Sequence, residues 1–203
     1  MHALIVVSHP DRGSLTHAVA TQVVEGLIGS GGGHTVEIAD LAAEGFDPRF
    51  TSADIAVHLR TAAPSADVLS EQARLDRADA LVLVYPVFWW SMPALLKGWI
   101  DRVFSNGWAY DEEVGGKTVR MLERLRVHLV AIGGADMRTY ARHGYFGAMK
   151  TQIDHGIFGY CGARVVTSEL LVSSDSRFPV SHLERARDIG RALFTDDTSR
   201  EAA

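Results

Sequence analysis

Three short segments carry residues whose types and spacing could hold or transform a ligand. The first is Ser8-His9-Pro10-Asp11-Arg12-Gly13-Ser14-Leu15-Thr16, which joins an apolar run to the start of an amphipathic stretch. A helix starting there offers unpaired backbone N–H groups and a partial positive charge, a natural cradle for a phosphate. Ser14 and Thr16 would add hydroxyl donors, and His9 a ring donor from the strand end. The same residues also read as a plain helix cap (Ser14) and a turn residue (His9), and this loop alone does not separate the two. It holds no G-x-G-x-x-G fingerprint. Gly116-Lys117-Thr118 imitates the end of a Walker A loop, but Asp111 stands where the first glycine belongs, so the segment reads as a decoy.

The second segment is Pro86-Val87-Phe88-Trp89-Trp90-Ser91-Met92-Pro93, after an apolar run. Adjacent tryptophans between prolines, outside any helix or strand, would be costly to leave in water, and they read as a face for a planar ligand more than as core packing. The third is Gly133-Gly134-Ala135-Asp136-Met137, followed by Tyr140, His143 and Tyr145. Paired glycines allow close backbone approach. His143 reads equally as a solvated loop histidine. Taken together the segments describe a site for a flat, phosphorylated, hydrogen-bonding molecule, and a flavin meets that description.

The elements that must position these segments follow from hydrophobic patterning. Uninterrupted apolar runs at Ala3 to Val7, Ala80 to Tyr85 and Val127 to Ile132 suit strands of a parallel sheet covered on both faces. His34 to Ile38 and Val165 to Val172 are further strands. Helices are expected at Leu15 to Leu27, Ser65 to Arg77, Pro93 to Phe104, Phe146 to Gly159 and Ser181 to Phe194. Gly29 to Gly33 reads as a helix stop and turn, because it follows a helix and not a strand. Strands alternating with helices predict an α/β, flavodoxin-like doubly wound five-stranded parallel sheet with helices on both faces. Residues 1–195 are expected to form a single domain and 196–203 a C-terminal tail. In such a fold ligands bind at the carboxyl ends of the strands, where all three segments fall.

Composition narrows the function. The 203 residues carry a net charge of −5, which gives no electrostatic case for nucleic acid or an anionic membrane surface. No stretch reaches the ~18 apolar residues of a membrane helix, and the N-terminus lacks the basic leader of a signal peptide. A cytoplasmic protein without membrane insertion or a metal site is expected. The single cysteine, Cys161, reads as a small buried apolar residue and excludes an intrachain disulfide. No G-x-S-x-G elbow marks a hydrolase.

Tyr85 to Phe104 resembles the P-x-x-W-[FY]-x-x-P-x-x-L-K-x-W-x-[DE]-[KR]-V-F signature of the flavodoxin-like NAD(P)H:quinone oxidoreductases, the DT-diaphorase family, nearly throughout. Gly107-Trp108-Ala109-Tyr110 continues it. Asp40-Leu41 with Phe46-Asp47-Pro48, His9 with Ser14, Gly133-Gly134 and Tyr160-Cys161-Gly162 are similar to further family positions. The chain also resembles the ancillary flavoproteins of bacterial glutathione-gated potassium efflux. The resemblance implies that His9, Ser14, Leu15, Thr16 and Ala18 hold the phosphate and ribityl side of FAD or FMN. Pro86, Val87, Phe88, Trp89 and Trp90 would border its ring, and the backbone of Ala131, Ile132, Gly133 and Gly134 its polar edge. Tyr140 and His143 would be the catalytic pair, and Trp89, Tyr110, His143 and Tyr160 the substrate pocket, with Tyr110 and Tyr160 contributed across a homodimer. The loop after the glycines is shorter than the family's, and the chain lacks most of the C-terminal extension of the longest members, which leaves FAD and FMN both open.

That resemblance implies hydride transfer from NAD(P)H through flavin to a quinone or similar electrophile, with both substrates using one pocket in turn. The same motifs suit a flavin-carrying regulatory subunit of a potassium-efflux system. A flavodoxin-type electron carrier is the remaining alternative, although those proteins are more acidic than this chain.

Overall fold

The computed structural model describes residues 1–112, 117–173 and 177–195. Its elements in chain order are β1 (His2–Val7), α1 (Leu15–Gly29), β2 (Thr35–Asp40), α2 (Ser52–His58), α3 (Ala66–Arg77), β3 (Ala80–Pro86) and α4 (Ala94–Val103). They continue with β4 (Tyr110–Glu112), β5 (Thr118–Arg120), β6 (Arg126–Gly133), α5 (Met137–His143) and α6 (Tyr145–Met149). A π-helical turn system, Lys150–Gly159, extends α6, and β7 (Arg164–Val172) and α7 (Val180–Ala192) follow.

The main sheet has the order β2-β1-β3-β6-β7, and every neighbouring pair is parallel. The predicted flavodoxin-like doubly wound sheet is therefore what the chain forms. Parallel strands need crossover helices, and those helices dictate the residue pattern. Along β1, Ala3, Ile5 and Val7 pack with Val19, Val23 and Leu27 of α1 and Ala186 and Ile189 of α7. Leu4 and Val6 face the other way, toward Leu75 of α3 and Leu96, Trp99 and Val103 of α4. With both faces covered, an unbroken apolar strand is the stable solution.

Glycine sets the approach of α1 to α7. A Cβ on Gly26 would overlap the Arg187 carbonyl oxygen, and one on Gly190 the Val23 carbonyl oxygen. The two helices touch backbone to backbone beneath the sheet. On the opposite face, α4 carries most of the signature, and several of its residues serve the scaffold. Trp99 is fully buried and donates its Nε1–H to Glu71 Oε2 at 2.8 Å. Arg102 binds Asp54 Oδ1 at 3.0 Å, Asp67 Oδ2 at 2.7 Å and the Asp47 carbonyl at 2.8 Å, clamping α2, α3 and the loop after β2 onto α4.

Several expectations shift in detail. The helix expected at Phe146 to Gly159 begins at Tyr145 and runs as a π-helix from Lys150. A Lys150–Asp154 ion pair of 2.7 Å and the Ser168 hydroxyl on buried Asp154 hold the wider turns against β7. The short helices α2 and α5 and the antiparallel pair β4–β5 were not expected, being too short for a periodic signal. Thr118 opens β5 and no helix, so the Gly116-Lys117-Thr118 segment does not begin a helix as a Walker A loop requires, and Gly116 lies outside the described residues. The tail 196–203 also lies outside them. Among the described residues no helix is long and apolar enough to cross a membrane, and no cluster of three or more His, Cys, Asp or Glu could hold a metal ion.

Candidate functional site

Strand order reverses at β1, which lies between β2 and β3, so the carboxyl ends of β1 and β3 flank a crevice. The three segments singled out above leave the sheet at β1, β3 and β6 and meet there. Ser8 N–H donates to the Val84 carbonyl at 3.2 Å, and Val87 N–H to the Ile132 carbonyl at 2.8 Å, tying the strand exits together.

The first loop is wound by its own side chains. His9 Nδ1 lies 3.0 Å from the Asp11 N–H and 3.2 Å from the Asp11 carbonyl, so the ring closes the turn. Gly13 N–H donates to Asp11 Oδ1 at 2.8 Å, and Ser14 N–H to the Asp11 carbonyl at 3.1 Å. Ser14 then caps α1 by accepting the His17 N–H. Thr16 is buried at the first turn, and Leu15 packs on the core beneath α1. Ala18 is exposed and its N–H is committed to the Ser14 carbonyl at 3.1 Å, so only its methyl group faces outward. At the loop's start the Ser8 hydroxyl is buried without a hydrogen-bond partner, a polar atom that a ligand could satisfy.

The second loop holds the most unusual backbone of the chain. Phe88 and Ser91 exchange hydrogen bonds of 3.1 and 3.0 Å, while Trp89 and Trp90 between them have φ of 49° and 59°. Two successive positive φ values in a two-residue turn define the mirror-image hairpin turn that Asn-Gly normally occupies. Two tryptophans there work against backbone preference, which places Trp89 in solvent at 94% exposure. Trp90 instead lies flat on Tyr145, with centroids 3.8 Å apart and planes 14° apart, and meets Tyr140 edge-on at 5.3 Å. Ser91 donates to Gln152 Oε1 at 3.1 Å, anchoring the turn to the π-helix.

In the third loop the two glycines have different roles. A Cβ on Gly133 would come within 2.7 Å of the Tyr140 hydroxyl, so this glycine makes room for the phenol. Gly134 faces open space. Asp136 accepts the Thr139 N–H at 2.8 Å and caps α5, and those bonds hold its carboxyl below the ordinary carboxylate range. Burial raises the Tyr140 phenol above its ordinary value of 10.

Val87, Trp89, Trp90, Gly134, Ala135 and Tyr140 line an open surface cavity of about 180 Å³. Two larger hollows, of about 420 and 280 Å³, lie beside α7 and beside Trp108, away from these loops. Of the residues expected to share a substrate pocket, Trp89 alone lines this cavity, together with Tyr140 of the expected catalytic pair. His143 is exposed one layer out, stacked on Tyr145 at 5.1 Å. Tyr110 and Tyr160 form a separate pair, 5.2 Å apart, with the Tyr110 hydroxyl 3.3 Å from His58 Nδ1. Burial, followed by the Glu112 charge, raises the Tyr110 phenol.

Two contacts escaped sequence reasoning, although Tyr145 itself was noted in the third segment. Tyr145 joins Trp90 to His143 in one aromatic tier. His17 bridges Ser14 and Asp40, with Nδ1 3.1 Å from Ser14 Oγ and Nε2 3.1 Å from Asp40 Oδ2. The i,i+3 spacing of Ser14 and His17 was a legible signal for the first half of that bridge.

Residues 1–189 match the profile of the family described as flavodoxin-like fold. The ribosyldihydronicotinamide dehydrogenase [quinone] of Rattus norvegicus is 30% identical over 185 residues, 82% of this chain and 79% of that protein. The chain belongs to the flavodoxin-like quinone oxidoreductase family. An uncharacterized NAD(P)H oxidoreductase of Haemophilus influenzae is 30% identical over 84% of this chain and 83% of its own length. Among solved structures, the NAD(P)H:quinone oxidoreductase from Methanothermobacter marburgensis superposes with a TM-score of 0.86 at 30% identity, covering 95% of this chain and 98% of that one.

Proposed function

We propose that the chain is a flavin-dependent NAD(P)H:quinone oxidoreductase, with residues 1–195 acting as one flavin-binding domain. The observation that carries this reading is the cavity at the β3 and β6 exits, set beside a phosphate-ready helix start in a chain of this family. The residues fit the cofactor. The α1 N-terminus presents backbone donors to a phosphate, with His9, Ser14 and Thr16 around it, and the buried Ser8 hydroxyl is a further polar atom in want of a partner. Val87, Trp89 and Trp90 give flat apolar surface for a ring, and the backbone from Ala131 to Gly134 borders its polar edge. When bound, the flavin supplies the hydride chemistry, taking a hydride from NAD(P)H and giving it to a quinone.

The protein's own part is orientation and proton supply. Trp90 is fixed between Tyr145 and Tyr140, and would present a held flat face to a bound ring. The Tyr140 phenol lines the cavity and donates a hydrogen bond to a substrate oxygen there. His143 stands exposed at the end of the tier, stacked on Tyr145. Tyr110 and Tyr160 sit apart from the cavity and complete it from a second copy in a cytoplasmic homodimer. Initial rates with NADH or NADPH and a quinone test the shared cavity. Parallel reciprocal plots are expected, and intersecting lines at every quinone concentration would overturn the single-pocket scheme.

A further inference from the structure

The hydrogen-bond chain Asp40–His17–Ser14 lies at the phosphate end of the crevice and has no part in the reaction outlined above. Its directions follow from chemistry. The Asp40 carboxylate only accepts, so His17 Nε2, 3.1 Å away, carries a proton. With a neutral ring, His17 Nδ1 is then a bare lone pair, and the Ser14 hydroxyl at 3.1 Å must donate to it. Ser14 Oγ also receives the His17 backbone N–H at 3.4 Å. Its only proton is consumed internally, and it presents lone pairs to any anion in the cradle. With a protonated ring the second bond reverses: Nδ1–H donates to Ser14 Oγ, and the hydroxyl proton is free to turn outward.

We infer that His17 is a proton-controlled positioning residue for the flavin phosphate, its charge state deciding whether Ser14 meets that phosphate as a donor or as an acceptor. This rests on the reading of the first loop as the phosphate site. Of the charged or titratable groups around the imidazole, Asp40 favours its protonation, and the Arg12 cation opposes it. Asp40 approaches from the end of β2, and it and His17 are each only 17% exposed. The Arg12 guanidinium lies 3.6 Å from the same Asp40 oxygen, and the His9 ring meets His17 edge-on at 6.3 Å. Burial alone would raise the Asp40 carboxyl, but the Ala43 N–H, the His17 hydrogen bond and the His17 and Arg12 charges outweigh it and hold it below the ordinary range. A carboxylate is therefore present to pair with the imidazolium. The unpartnered Ser8 hydroxyl, 2% exposed at the end of β1, independently marks this strand end as short of a polar partner. Linkage makes the coupling reciprocal, so a bound phosphate favours the protonated ring.

The test measures dissociation constants of FMN, FAD and riboflavin for the full chain by quenching of flavin fluorescence, between about pH 5.5 and 8.5 where imidazole titrates. Wild type is compared with His17→Gln, which keeps both hydrogen bonds but carries no proton to gain. The wild-type affinity for the phosphorylated flavin should gain about tenfold over His17→Gln as pH falls, the worth of one charge-assisted hydrogen bond. Taking the ratio at each pH cancels titration of the ligand itself, and riboflavin, which lacks the phosphate, should show a constant ratio. A constant ratio for FMN and FAD as well would overturn the inference and leave His17 a merely structural residue. Failure of all three flavins to bind wild type at any pH would overturn the cofactor reading instead. If His17→Gln does not fold, Ser14→Gly, which keeps most of the capping energy, must flatten the same pH dependence or the inference fails.

Discussion

Replacing Trp89 with asparagine should raise stability and lower activity together. Trp89 is 94% exposed, so its indole gains almost nothing from burial, and its φ of 49° places it where side chains other than those of Gly, Asn and Asp are strained. Asparagine tolerates that conformation, and the relief should be about 1 kcal/mol. For a chain of this length that is a rise of roughly 2–4 °C in Tm. The lost indole is also a wall of the cavity between β3 and β6. An aromatic contact with a bound ring is worth about 0.5–1.5 kcal/mol, so kcat/KM should fall by roughly 2- to 12-fold. Thermal unfolding and steady-state kinetics on the same preparation read both quantities. A variant that loses stability, or keeps wild-type kcat/KM while gaining stability, would refute the argument that backbone strain is retained here for the ligand.

Acid titration of stability should show His128, whose burial in β6, followed by the nearby Arg126 charge, pushes its pKa from 6.5 down to about 4. The folded state prefers the neutral ring, so this contribution is complete above pH 6.5 and falls away as pH drops toward 4, by up to about 3 kcal/mol. Urea midpoints of His128→Gln should lack that slope. Gly190→Ala should cost about 1–3 kcal/mol, because its methyl group meets the Val23 carbonyl and pushes α7 from α1; unchanged thermal unfolding would contradict this. Arg102→Leu should cost about 3–5 kcal/mol, leaving buried Asp54 without its cation, and chemical denaturation checks it.

The sheet was legible because a strand covered on both faces must be apolar throughout, as Ala80 to Tyr85 is. Boundaries moved where local chemistry overrode pattern: Ser65 and Pro93 are caps of α3 and α4 and not helical residues. The signature from Pro86 to Phe104 was legible as a unit but divides physically. Trp89 and Trp90 face the cavity, whereas Gly98, Trp99 and Arg102 hold α4 to its neighbours, and a Cβ on Gly98 would overlap the Pro48 carbonyl. The turn at Trp89-Trp90 was hidden because neither residue prefers positive φ. The His17–Asp40 contact spans 23 positions and depends on the parallel register of β1 with β2, which no local spacing encodes. Tyr145 was noticed beside His143, yet its place against Trp90 arises only when α6 folds back under the second loop.

The most direct test of the central claim is the visible absorption of the purified protein, followed during anaerobic addition of NADH or NADPH and then of a quinone. The account predicts a yellow protein, or one that becomes so when supplied with FMN or FAD, whose flavin band is bleached by the nicotinamide and restored by the quinone. A colourless chain that takes up neither flavin, or a bound flavin that neither nicotinamide bleaches, would contradict it.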